Sequence, residues 1–138
     1  MPESNPTLTT YEPVDLEIKK ADFLVVNCGD LRFPKAYREV IDNLGGYFDT
    51  ITVPGASKGI VDYEEPLEYM DVYLGLHGYD TVHIMDHIEC GKFGPVDDEQ
   101  KAHSESIKAA REKIQKAFPQ LSVIGHLLGK DGELAVEL

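Results

Sequence analysis

From Asp22 onward, apolar and polar positions follow two distinct rhythms. Phe23-Leu24-Val25-Val26 is a short unbroken apolar run, as in a strand covered on both faces of a parallel sheet. Pro34 stands where a first helical turn belongs. Ala36, Tyr37, Val40, Ile41 and Leu44 then recur at helical spacing until Gly45-Gly46. Residues 48–53 predict a second strand, closed by Pro54-Gly55. Residues 64–77 predict a second helix with Leu67, Met70, Tyr73, Leu74 and His77 on one face, and residues 81–86 a third strand. Asp97 and Asp98 suit the start of the longest helix, whose Ile107, Ala110, Ile114, Ala117 and Phe118 share a stripe before Pro119. Residues 121–128 predict a fourth strand, Lys130-Asp131-Gly132 a turn, and residues 133–138 a fifth strand.

The order β-α-β-α-β-α-β-β describes an α/β fold: a mostly parallel sheet, helices on both faces, and strand 5 as an antiparallel edge. Right-handed crossovers give the strand order 2-1-3-4-5. The winding then reverses between strands 1 and 3, and ligands of such sheets bind beyond the carboxyl ends of the strands at that point. Cys28 follows strand 1, and His87 and Cys90 follow strand 3. Residues 1–20 hold three of the eight prolines and little periodicity, so they read as an N-terminal arm. Residues 21–138 form a single α/β domain, as a chain of 138 residues allows.

Charge narrows the choice of partners. A formal net charge of −12 argues against nucleic acid and against anionic membrane surfaces. No apolar run reaches the roughly 20 residues of a membrane span, and the first residues lack the features of a signal peptide. The expected location is the cytoplasm, where two cysteines would stay reduced.

Zinc favours thiolate and imidazole ligands in a tetrahedron, with one position left open at catalytic sites. Cys28, His87 and Cys90 supply three such ligands, a His-x-x-Cys pair and a lone cysteine from the neighbouring strand end. The competing reading makes the cysteines small core residues and His87 an N-cap or loop histidine.

Cys28-Gly29-Asp30-Leu31-Arg32 after strand 1, His87-Ile88-Glu89-Cys90-Gly91 after strand 3 and Leu67-Glu68-Tyr69 between them resemble the motifs of β-class carbonic anhydrases. The resemblance covers residues 22–138. It implies Zn2+ on Cys28, His87 and Cys90, and reversible hydration of carbon dioxide to bicarbonate by a zinc-bound hydroxide, a lyase activity. It further implies a homodimer or higher homo-oligomer. Asp30 and Arg32 become the catalytic pair, since alternation puts positions 28, 30 and 32 on one side and Arg32 can grip Asp30 at two points. The chain departs from the family at Leu31, where serine is usual, and at Val53-Pro54-Gly55-Ala56-Ser57, where Arg-Asn-Ala-Gly is common. Its N-terminal extension is also reduced. These departures motivate two alternatives: a zinc-dependent hydrolase of carbonyl sulfide or carbon disulfide, and a non-catalytic zinc-stabilised binding module. His77, His83, His103 and His126 are read as structural. Lys92, Phe93 and Gly94 either line the site or form a turn anchored by Phe93.

Overall fold

The computed structural model describes residues 7–138. Its elements are β1 (Phe23–Asn27), α1 (Pro34–Leu44), β2 (Phe48–Thr52), α2 (Ser57–Asp62) and α3 (Glu65–His77), followed by β3 (Thr81–His87), α4 (Glu99–Ala117), β4 (Ser122–Leu128) and β5 (Glu133–Leu134). The strands form one sheet in the order β2-β1-β3-β4-β5, as the element pattern predicted. β1 pairs in parallel with β2 and β3, β3 in parallel with β4, and β4 antiparallel with β5.

Strand alternation distributes the core over two faces. Leu24, Val26, Val82 and Ile84 meet Ile60 of α2, Met70 of α3, and Ile107, Ala110 and Ile114 of α4. Phe23, Val25, Met85 and Leu128 meet Tyr37 and Ile41 of α1 on the other face. Each fully buried side chain of this size contributes roughly 1.5–3 kcal/mol. Helix ends follow the sequence signals where those are strong. Pro34 opens α1, the Asp98 side chain accepts from the Lys101 N–H at 3.1 Å, and left-handed Gly78 closes α3.

The structure departs from the expected elements in two places. Residues 57–62, for which the sequence pattern predicts no element, form the helix α2. The carbonyls at its C-terminal end, of Ile60, Val61 and the capping Tyr63, accept from the Lys113 ammonium of α4 at 2.8, 3.2 and 2.9 Å. The fifth strand covers two residues and not six. Beyond Leu134 its backbone turns to α4 side chains: Gln100 Nε2 donates to the Ala135 carbonyl and the Glu137 N–H to Ser104 Oγ, both at 3.0 Å. In the expected arm, residues 7–20 carry no regular element and expose Leu8, Tyr11, Val14 and Leu16; residues 1–6 lie outside the described residues.

Gly125 lets α4 approach β4 closely. A Cβ there would stand 2.6 Å from Ile107 Cγ2. Gly125→Ala is therefore expected to destabilise the fold by about 1–3 kcal/mol through overpacking, read as a lower urea midpoint at unchanged slope.

The four histidines outside the predicted ligand set each have a partner. His77 Nδ1 meets Asp49, His103 Nδ1 meets Asp86 at 2.7 Å, and His126 joins His83 at 2.9 Å to Glu133 at 2.5 Å. Burial, and next the neighbouring His126, hold the His83 imidazole down at about 4, with Glu133 acting weakly the other way. The unfolded chain, with histidine near its ordinary 6.5, takes up this proton first. The stability tied to neutral His83 is thus complete above about pH 6.5 and is lost as pH falls toward 4, by up to about 3 kcal/mol. Urea titrations at pH 7.5 and 4.5 should show a smaller loss in His83→Gln than in the parent chain.

Candidate metal centre

β1 ends at Asn27, so Cys28 is the first residue beyond it, while His87 is the last residue of the adjacent β3. Thr52 Oγ1 donates to Asn27 Oδ1 at 2.8 Å and ties the ends of β2 and β1 together. The ligand loop after β3 is anchored to β4 by the Ile88 N–H on the Leu128 carbonyl at 3.0 Å. It then turns through Glu89, a non-glycine residue at φ 54°. Such a conformation costs roughly 1–3 kcal/mol and persists only where its surroundings enforce it. Here the Glu89 N–H donates to Glu99 Oε2 at 2.7 Å, and its carbonyl accepts from Arg32 Nη2 at 2.9 Å.

The turn brings Cys90 back toward Cys28 and His87, whose ligand atoms all lie within 4.8 Å of one another. His87 is fully buried and its ring stacks on Phe33, with centroids 4.5 Å apart. A carbonyl can only accept, so the 2.7 Å contact with the Ile88 carbonyl places the ring proton on Nδ1. Nε2 is then a bare lone pair, buried and without a hydrogen-bond partner among the described residues. An imidazole held through one nitrogen by a backbone carbonyl is the usual state of a metal-binding histidine.

The sulfurs fit a cation for a complementary reason. Burial, and also the adjacent Cys28, push the Cys90 thiol up, while the backbone N–H groups of Lys92 and Phe93 pull it down. Two thiolates this close repel each other, and a divalent cation between them would offset that charge. Two sulfurs and one imidazole nitrogen make a donor set compatible with zinc.

Beside this cluster Arg32 grips Asp30, through a turn and not through the extended alternation expected for residues 28–32: the Phe33 N–H donates to the Asp30 carbonyl at 3.3 Å. Its Nε donates to Oδ1 at 3.0 Å and its Nη2 to Oδ2 at 2.9 Å, with the Arg32 backbone N–H adding a bond to Oδ1 at 2.8 Å. These hydrogen bonds hold the Asp30 carboxyl at about 2. Asp30 Oδ2 lies 3.9 Å from His87 Nε2, and Asp30 is not one of the three clustered ligands.

Several participants carried no local signal. The Gly55 N–H donates to Cys28 Sγ at 3.4 Å. Ala56, fully buried, sits at φ 46°, ψ −97°. Tyr37 is buried near Cys28, and burial followed by the nearby thiol keeps its phenol protonated far above the ordinary range. The Asp86 side chain, near the end of β3, turns away from the cluster to His103 of α4. Phe93 anchors a turn, its ring 4.0 Å from that of His103, and Lys92 pairs with Asp62.

Two curated relatives are similar to this chain, both carrying the name uncharacterized protein. One, from Rickettsia bellii, is 29% identical over 132 residues, covering 83% of this chain and 80% of its own. The other, from Rickettsia conorii, is 27% identical over 132 residues, covering 83% and 71%. Among solved structures, β-carbonic anhydrase isoform I of Trichomonas vaginalis superposes with a TM-score of 0.67 at 15% identity, over 87% of this chain and 84% of that one. The carbonic anhydrase of Streptococcus mutans gives 0.56 at 12% identity, over 90% and 88%. Identities this low establish the shared fold alone. The family model described as "Putative carbonic anhydrase" matches residues 18–137, and this chain belongs to that family.

Proposed function

We propose that this protein is a zinc-dependent lyase that catalyses the reversible hydration of carbon dioxide to bicarbonate. The observation that carries the reading is the convergence of Cys28 Sγ, Cys90 Sγ and the bare, buried His87 Nε2 beside the Asp30–Arg32 clamp. Zinc in this position would lower the pKa of the water it binds from 15.7 to about 7, making a nucleophile available at neutral pH.

The chain's own groups do the rest. Cys28, His87 and Cys90 would hold the ion, and the Ile88 carbonyl keeps the His87 proton on Nδ1. Arg32 keeps Asp30 ionised, so Oδ2 can only accept; any O–H in front of it must donate toward it and present a lone pair elsewhere. An open groove of about 270 Å³ borders Cys28 and Asp30, with Tyr37, Ile41 and Phe48 on its walls. Its largely apolar walls can seat a small uncharged gas.

The test is a stopped-flow indicator assay on protein carrying one zinc per chain. Hydration well above the buffer rate is expected, and a rate equal to buffer at full zinc content would overturn the reading. We further propose a homodimer or larger assembly, supported by the exposed apolar side chains of the arm and by Ile124, 45% exposed on the face that α1 covers elsewhere. Light scattering should then give a mass at least twice the 15.4 kDa of one chain.

A further inference from the structure

Asp86 is the only acid in β3, and it is buried with 1% of its surface exposed. A carboxylate in that setting survives only if donors surround it. Three do so: the Ser57 N–H at 2.9 Å, the Ser57 hydroxyl at 2.5 Å and His103 Nδ1 at 2.7 Å. Ser57 Oγ, having donated, accepts from Ser106 Oγ at 2.7 Å. Asp86 and His87 are neighbours on a strand, so they face opposite sides of the sheet. His87 turns to Phe33, and Asp86 turns to the helices behind the cluster.

What Asp86 grips is Ser57, the residue that follows Gly55-Ala56. Ala56 is held there in a backbone conformation that a non-glycine residue avoids. Immediately before it, left-handed Gly55 points its N–H at Cys28 Sγ. The Lys92 side chain lies so close over Gly55 that an added Cβ would meet Lys92 Cγ at 2.7 Å. The unfavourable Ala56 geometry is thus fixed on one side by Asp86 and spent on the other in aiming one N–H at a sulfur atom.

We propose that Asp86, braced by His103, is a positioning residue that holds the Gly55 N–H on the Cys28 thiolate and thereby moderates how much charge that sulfur gives to the metal. An N–H···S bond withdraws density from a thiolate, and hydrogen bonds of this kind tune metal–thiolate centres in general. With two thiolates in the set, such withdrawal keeps the ion a stronger Lewis acid. The inference rests on Cys28, His87 and Cys90 binding a metal, and not on carbon dioxide being the substrate.

The test uses the full chain loaded with Co2+ in place of zinc. The parent chain should show a thiolate-to-cobalt charge-transfer band and a protected Gly55 amide. In Asp86→Asn, where the amide cannot satisfy all three donors, the band should move to lower energy, and the Gly55 amide should exchange at least about tenfold faster. If Asp86→Asn does not fold by circular dichroism, Ser57→Ala removes only the hydroxyl arm, and a smaller shift in the same direction is expected. A cobalt-loaded variant that folds with band and amide unchanged would overturn the proposal while leaving the metal centre intact. A parent chain with no thiolate–cobalt band would instead overturn the metal reading beneath it.

Discussion

Cys90→Ser is expected to abolish stable zinc binding and to slow carbon dioxide hydration at least about a thousandfold, with the sheet still folded. Serine keeps the shape of cysteine but offers a neutral hydroxyl where a soft anionic ligand is needed. With one sulfur and one imidazole left, the site lacks the three protein ligands that catalytic zinc requires. The folding cost should be modest. Backbone N–H groups of Lys92 and Phe93 already face the sulfur and can serve the serine oxygen. The larger core, built around Leu24, Val26, Ile84 and Ile107, does not depend on Cys90. Metal content per chain, the stopped-flow rate and circular dichroism measured on one preparation check this. Full zinc and full activity in the variant would remove Cys90 from the centre. Unfolding would point to zinc as a structural staple, as in a binding module.

The parts of this fold legible in the sequence are those governed by local rules. Phe23 to Val26 announces a two-faced strand by its unbroken apolar run, and short connections with right-handed crossovers then leave little freedom in strand order. The Asp98 cap and the Gly45 ending of α1 are likewise local signals. The helix α2 was hidden because its support is tertiary. Six residues with Gly59 among them make no amphipathic repeat, and Gly59 is needed because a Cβ there would stand 2.4 Å from the Pro54 carbonyl. The early end of β5 has the same origin, in α4 side chains that take its backbone groups. At the site, the three proposed ligands could be read because topology gathers strand ends; the Asp30–Arg32 clamp is closed instead by a turn, which the expected alternation of residues 28–32 did not describe. Asp86, Ser57 and His103 could not be grouped, since they lie far apart in the chain and meet only when α2 and α4 pack on the same face.

Asp30→Asn should leave one zinc per chain in place and lower turnover about 10- to 100-fold or more. Arg32 presents two parallel donors, which the Asp30 carboxylate meets with one oxygen each. Asparagine has a single oxygen; if that oxygen serves Arg32, the amide NH2 turns toward the cluster and puts a donor where an acceptor stood. An O–H in front of position 30 would then find repulsion in place of orientation. The pH behaviour separates this role from proton transfer by Asp30 itself. Its carboxyl is held at about 2, below the ordinary 3.8. The charged form and its contribution to stability are therefore complete above about pH 4 and are lost only as pH falls toward 2. Parent activity should show no limb belonging to Asp30 between pH 5 and 9, which are assay limits chosen about the neutral range. Rates at matched zinc content across that range are the measurement. A variant as fast as its parent would leave Asp30 without a role in turnover. Loss of zinc in step with loss of rate would make Asp30 a ligand, released from Arg32 to bind the ion, and no longer the acceptor that aims a proton away from it.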